Sequence, residues 1–186
     1  MPVLAPPKKI LTVEDNAIVS ADVRSILEAA GYDVLPDARD GAQAVEHVRT
    51  YAPDLILLDL MLPNVDGIEA ANLIREESDA PIVVLTGSND PEMIERAEAA
   101  GTSGLVRKPF SEHGLLSEVR SRFAQIEADD FSLRCLIETM VREGADEASI
   151  VRALRRASHS VDQGFSLGAQ LRRCGRFLTS RGRRAA

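Results

Sequence analysis

Cysteine is scarce in this 186-residue chain: Cys135 and Cys174 are the two present, and no motif spacing surrounds either. Two isolated thiols give no basis for a disulfide framework or a cysteine-built metal finger. Both fall at apolar helical positions, so they are expected to be buried free thiols of a cytoplasmic protein. Long apolar runs are lacking too, since no stretch approaches the roughly 18 residues that a membrane-spanning helix requires. The opening Met1-Pro2-Val3-Leu4-Ala5-Pro6-Pro7-Lys8-Lys9 has no apolar core of signal-peptide length, so export is not expected. No membrane partner is expected either.

Charge is present in quantity and unevenly placed. The net value of −7 conceals 13 Lys/Arg against 28 Asp/Glu over residues 1–148, and 9 against 1 over residues 149–186. The basic last fifth suits a polyanion or an acidic protein surface as partner. The length accommodates one ordinary domain with an appendage, or two small domains.

Leu55-Ile56-Leu57-Leu58-Asp59-Leu60-Met61-Leu62-Pro63 is an apolar run broken by a single carboxylate. Such a run reads as a strand buried on both faces, as in a parallel sheet. A buried, unpaired carboxylate is costly, so Asp59 is placed at the C-terminal end of that strand, where it reaches solvent or a cation. Ligands of open α/β sheets bind at those ends.

The rest of the first 125 residues alternates in the same way. Lys8 to Val13 reads as a strand leading into Glu14-Asp15-Asn16, and Val19, Val23, Ile26, Leu27 and Ala30 follow at helical spacing, with Gly31 as stop. Tyr32–Leu35 is a short strand, Ala42–Tyr51 a helix, and Ile68–Arg75 a helix after the central strand and an Asn64–Gly67 turn. Pro81–Thr86 is the fourth strand. Asp90-Pro91 opens a helix that Gly101 closes. Gly104–Arg107 is a weak fifth strand delivering Lys108-Pro109-Phe110, and Ser111 caps a helix bearing Leu115, Leu116, Val119 and Phe123. Strands and helices in strict alternation predict a parallel sheet covered on both faces, a doubly wound α/β fold.

Aligning the strand ends gathers Glu14, Asp15, Asp59, Thr86 and Lys108. Three close carboxylates repel one another unless a divalent cation holds them ionised. With no His or Cys nearby, the all-oxygen donor set points to Mg²⁺. Thr86 supplies a hydroxyl and Lys108 an ammonium suited to a tetrahedral anion on Asp59. A carboxylate nucleophile, a hard cation and two donors form a phosphoryl-transfer site, with Asp59 attacking phosphorus in line.

Val13-Glu14-Asp15-Asn16, Leu57 to Pro63 with Asp66-Gly67 after it, Leu85-Thr86-Gly87 and Lys108-Pro109-Phe110 together resemble the receiver domain of bacterial two-component response regulators, over about residues 8–125. The resemblance implies a flavodoxin-like five-stranded sheet of order 2-1-3-4-5, phosphoryl transfer to Asp59 from a histidine kinase or phosphotransfer protein, and Mg²⁺ held by Glu14, Asp15, Asp59 and the backbone carbonyl of Met61. It also implies phosphoryl contacts from Thr86 and Lys108 and a cis Lys108-Pro109 bond. One position departs from the family: three residues before the lysine, where Tyr or Phe often swings inward on activation, stands Leu105. Signal is then expected to leave by another route, such as motion of the loop from Gly87 to Asp90. His47 and His113 lie on helices away from the strand ends and read as solvated residues.

Residues 1–125 are thus read as the receiver and 126–186 as a small, basic, all-α segment. Leu133, Leu136, Ile137, Met140 and Val141 form a helical stripe ended by Gly144; Asp146 caps a helix with Ile150, Leu154 and Ala157; Leu167, Leu171, Cys174 and Leu178 mark a third. Three uses of this segment stay open. It is a protein-interaction module, including one for a homodimer; or a DNA-binding output through Arg152, Arg155, Arg156, Arg172, Arg173 and Arg176; or a faint histidine-phosphotransfer likeness around His159, where Asp162 would repel a phosphoryl group. The expected function is a non-enzymatic phosphoacceptor regulator that assists its own phosphorylation and dephosphorylation. The rival is a phosphatase-like enzyme with Asp59 as transient nucleophile, against which stands Met61, where such enzymes carry an acid.

Overall fold

The computed structural model describes residues 6–63, 66–146 and 148–153. Its elements run β1 (Lys9–Val13), α1 (Ala17–Ala29), β2 (Asp33–Val34), α2 (Gly41–Tyr51), β3 (Leu55–Asp59), α3 (Gly67–Glu77), β4 (Ile82–Thr86), α4 (Pro91–Ala99), β5 (Gly104–Arg107) and α5 (Glu112–Arg142). All strand pairs are parallel and the order is β2-β1-β3-β4-β5, the arrangement that the receiver resemblance implies.

Local chemistry sets the helix ends. Asn16 accepts the N–H groups of Ile18 and Val19, Asp40 that of Gln43, Asp66 that of Ile68 and Asp90 that of Glu92, so side-chain oxygens take up orphan donors at four helix starts. Gly31 and Gly101 carry φ of 88° and 81° just after α1 and α4, left-handed values that favour glycine. Ser111 caps α5 by accepting the N–H of Gly114 at 3.1 Å.

The central strands β3 and β4 are buried at every residue. Strand alternation sends Leu11, Val13, Ile56, Leu58, Ile82 and Val84 to one face, packed with Ala44, Val48, Ala71, Ile74 and Ala97 of α2, α3 and α4. The alternate residues Ile10, Leu55, Leu57, Val83 and Leu85 turn to the other face, and Val23, Leu27, Leu115 and Val119 of α1 and α5 are buried with them. Each of these Val, Leu and Ile side chains contributes roughly 1.5–3 kcal/mol of transfer free energy, which lets the sheet tolerate costly polar groups at its C-terminal edge. Arg75 braces the far side: its guanidinium donates to the carbonyls of Ala80 at 2.6 Å and Gly101 at 2.7 Å, tying α3 to the turn before β5.

The chain divides into compact units over residues 1–122 and 123–186. The helix bearing Leu115 to Phe123 and the stripe from Leu133 to Val141 are parts of one element: α5 runs unbroken for 31 residues. From Leu115 to Glu143 no glycine or proline occurs, so nothing in the backbone stops helix propagation. Gly144, with φ of 79°, ends it, and Asp146 then accepts the Ser149 N–H at 2.8 Å to open the helix over residues 148–153.

Within the second unit Leu133 and Ile137 are buried, whereas Val141 is 53% exposed. One residue past half-buried Met140, it is turned by about 100° out of the stripe. Cys135 is exposed, which corrects the expectation of a buried thiol: it stands two residues from both Leu133 and Ile137, on the opposite side of the helix. Leu154, Ala157, His159, Asp162, Leu167, Leu171, Cys174, Leu178 and the arginines from Arg155 onward lie outside the described residues. Among the described residues no helix is long and apolar enough to cross a membrane.

Candidate functional site

Four strands end at one edge of the sheet and deliver different chemistry to it. From β1 comes Glu14, 1% exposed, its backbone N–H donating to the Ala38 carbonyl at 2.9 Å, followed by exposed Asp15. From β3 comes Asp59, 4% exposed. From β4 comes buried Thr86, and one residue past β5 stands Lys108, whose backbone N–H donates to the Thr86 carbonyl at 2.8 Å. The Lys108-Pro109 peptide is cis.

Lys108 Nζ donates to Asp59 Oδ2 at 2.7 Å and to Glu14 Oε2 at 2.5 Å. The other oxygens are also occupied. Asp59 Oδ1 accepts the backbone N–H of Met61 at 3.0 Å, and Glu14 Oε1 accepts that of Asn16 at 3.2 Å. Two buried carboxylates are therefore tolerated because each oxygen has a donor and one ammonium bridges them.

Burial pushes the Glu14 carboxyl above its ordinary range; the Lys108 hydrogen bond opposes the rise and the Asp59 charge reinforces it. Burial works against the Lys108 ammonium, but hydrogen bonds to Asp59 and Glu14 outweigh it and hold the group above the usual lysine value.

Asp15 completes the acidic set: Glu14, Asp15 and Asp59 each offer an oxygen within 4.8 Å of the others. Three formal negative charges against the one positive charge of Lys108 leave an excess that matches a divalent cation. The donors are all oxygen, and exposed Asp15 leaves a side open to water, so the set fits a hard ion such as Mg²⁺.

Glu14, Asp15, Asp59, Thr86 and Lys108, the residues singled out by sequence, thus stand at one edge of the sheet. Thr86 stands at the neighbouring strand end, but its Oγ1 accepts the Ser88 N–H at 3.0 Å, and it follows Val84 on the α2-α3-α4 side of the sheet. The Met61 side chain is 61% exposed, and it is the residue's backbone N–H that touches Asp59. That donor is invisible to residue-type reasoning, because every non-proline residue carries one. Arg107, which donates to Asn89 Oδ1 across the loop after β4, was not singled out either, as an exposed arginine at a strand end has no sequence signature. His47 lies elsewhere, 3.0 Å from the Pro36 carbonyl and edge-on to Tyr51.

Comparison with known proteins agrees with this geometry. The family model described as "Response regulator receiver domain" matches residues 10–120. The chain is 37% identical over 139 residues to the transcriptional regulatory protein PdtaR of Mycobacterium tuberculosis, covering 73% of this chain and 68% of that protein. It is 36% identical over 115 residues to the DNA-binding response regulator MtrA of Mycobacterium leprae, covering 62% of this chain and 51% of MtrA. Among solved structures, the receiver domain of sensor histidine kinase PA1611 from Pseudomonas aeruginosa PAO1, with a magnesium ion coordinated in its active-site cleft, superposes with a TM-score of 0.55 at 32% identity, over 60% of this chain and 93% of that one. With the family's match covering residues of all five strands and every strand end that carries a site residue, the chain belongs to the response regulator receiver family.

Proposed function

We propose that this protein accepts a phosphoryl group on Asp59 from a histidine kinase or phosphotransfer protein in a Mg²⁺-dependent reaction, and passes the signal on through residues 126–186 or a partner. The observation that carries this reading is the bridging of two buried carboxylates, Glu14 and Asp59, by the Lys108 ammonium, with Asp15 beside them.

An Asp59 carboxylate oxygen attacks phosphorus; the O–P bond forms as the bond from phosphorus to the donor's imidazole nitrogen breaks, and that nitrogen keeps the electron pair. Lys108 follows the charge, moving from carboxylate oxygens to phosphoryl oxygens, while the Met61 N–H continues to orient Asp59. Thr86 supplies a hydroxyl to another phosphoryl oxygen. Glu14, Asp15, Asp59 and the Met61 carbonyl would hold Mg²⁺, which would supply charge neutralisation there. The same residues assist water in removing the group later, so the chain regulates its own signal without turning over an outside substrate. Residues 1–125 serve as the receiver, and the setting is the cytoplasm.

Incubation with acetyl phosphate and Mg²⁺ tests this. One-to-one labelling that Asp59→Asn abolishes supports the phosphoacceptor; labelling of the Asp59→Asn chain contradicts it. Steady phosphate release without accumulation would instead support a phosphatase that uses Asp59 as nucleophile.

For the output, a role in transcription is favoured by the likeness to the transcriptional regulatory protein PdtaR, and DNA binding by the likeness to the DNA-binding response regulator MtrA and by 9 Lys/Arg against 1 Asp/Glu over residues 149–186. A mobility-shift assay with the full chain, phosphorylated and not, in rising salt decides it. Retardation that falls steeply with salt supports DNA; its absence leaves a protein-interaction or dimerisation role for the segment.

A further inference from the structure

Leu105 is not the aromatic residue that many receivers use to report phosphorylation, so the signal needs another mechanical route out of the site. Thr86 is the register partner of Arg107 in the β4–β5 ladder. The Arg107 guanidinium reaches back over the end of β4 and donates to Asn89 Oδ1. Between these two anchors the loop is a chain of short bonds: Ser88 N–H to Thr86 Oγ1 at 3.0 Å, Asp90 N–H to Ser88 Oγ at 3.1 Å, and Glu92 N–H to Asp90 Oδ1 at 3.0 Å, the last of which caps α4. Thr86 Oγ1 thus faces Ser88, while Lys108 donates to Glu14 and Asp59, which also accept the Asn16 and Met61 N–H groups.

We propose that Arg107 is a positioning residue that acts through Asn89: it holds the loop of residues 87–90 in the arrangement that keeps the Thr86 hydroxyl turned to Ser88, and this hold must be released when the hydroxyl turns to a phosphoryl group on Asp59. The inference rests on the phosphoacceptor reading. Thr86 lies on the α2-α3-α4 side of the sheet, whereas Asp59, following Leu57, lies on the other, so the hydroxyl must travel to serve a group bound to Asp59. Moving it draws on Ser88 and hence on Asp90, the cap of α4. Arg107 is anchored in the β5 ladder and does not follow, so the strain falls on its contact with Asn89. The start of α4, not an aromatic ring on β5, then reports the state of the site.

The test uses the full chain and beryllofluoride with Mg²⁺ as a phosphoryl mimic, in wild type, Arg107→Ala, Asn89→Ala, the double variant and Arg107→Lys. Release of the resting hold is expected to tighten mimic binding about three- to tenfold in Arg107→Ala, the span that one exposed charge-assisted hydrogen bond supports. Asn89→Ala is expected to do the same, the double variant to add nothing further, and Arg107→Lys to restore wild-type affinity in part. Amide exchange at Ser88 and Asp90 should quicken in the mimic-free Arg107→Ala chain. A purely structural arginine would lower thermal stability and weaken mimic binding. Unchanged or weaker binding in Arg107→Ala, or additive effects of the two substitutions, overturns the proposal while leaving the phosphoacceptor reading intact. Failure of wild type to bind beryllofluoride or to be labelled by acetyl phosphate defeats the phosphoacceptor reading and this proposal with it.

Discussion

Lys108 Nζ lies 2.7 Å from Asp59 Oδ2 while also donating to Glu14, so a single ammonium from the end of β5 joins carboxylates from the ends of β1 and β3. That ammonium makes two buried acids tolerable. Mg²⁺ and a phosphoryl group would each compete for one side of that bridge.

Lys108→Ala is therefore expected to leave Asp59 able to accept a phosphoryl group while weakening any response in the C-terminal segment. Labelling by acetyl phosphate, read beside phosphorylation-dependent amide exchange over residues 126–186, separates the two effects. Loss of all labelling would show that the ammonium is needed for the transfer itself.

Glu14 ties stability to pH. Its folded carboxyl is raised by burial above the ordinary 4.5, so between 4.5 and the raised value the folded chain holds more protons than the unfolded one. Stability falls as pH climbs through that window. Lys108 acts at the alkaline end: its contribution is full below 10.5 and is lost as pH rises through the higher folded value. In chelator, Glu14→Gln should flatten the acid-to-neutral decline and melt higher than wild type at neutral pH, and Mg²⁺ should stabilise wild type more than the variant. Thermal melts across pH, with and without Mg²⁺, check both. A wild-type melt indifferent to the ion counts against the metal site.

Gly67, the first residue of α3, sits against the strand end that carries the acceptor. A Cβ there would stand 2.4 Å from Leu60 Cα and 2.6 Å from the Asp59 carbonyl oxygen, both backbone atoms. Gly67→Ala is expected to cost about 1–3 kcal/mol by overpacking and to slow labelling by displacing Asp59. Denaturant unfolding measures the first and acetyl phosphate labelling the second; a fully stable, normally labelled variant would mean that α3 shifts freely.

Cys135 faces solvent on α5. In a Cys174→Ser background it should react with a thiol reagent in the native state, and Cys135→Ser should change stability by no more than about 0.5 kcal/mol, as for other surface positions. Protection from the reagent would return it to the buried class.

Much of the receiver was legible without coordinates, for an identifiable reason. Runs such as Leu55–Leu58 and Ile82–Leu85 are apolar at successive residues, which suits a strand buried on both faces, and the caps Asp90 and Ser111 announce helices locally. The exposure of Cys135 was misjudged because it depends on what packs against a helix. Apolar spacing alone does not carry that information.

The order of chain elements, the acids, the threonine and the lysine, and their places at strand ends follow from the sequence itself, because strand period and helix caps act over a few residues. Only the tertiary structure decided that Lys108 spans both Glu14 and Asp59, that the Met61 N–H holds Asp59, that Thr86 turns to Ser88, and that Arg107 reaches Asn89. Those are contacts between groups as far apart as 94 residues. Which donor meets which acceptor at that range is set by strand register and layer packing, which no local pattern encodes.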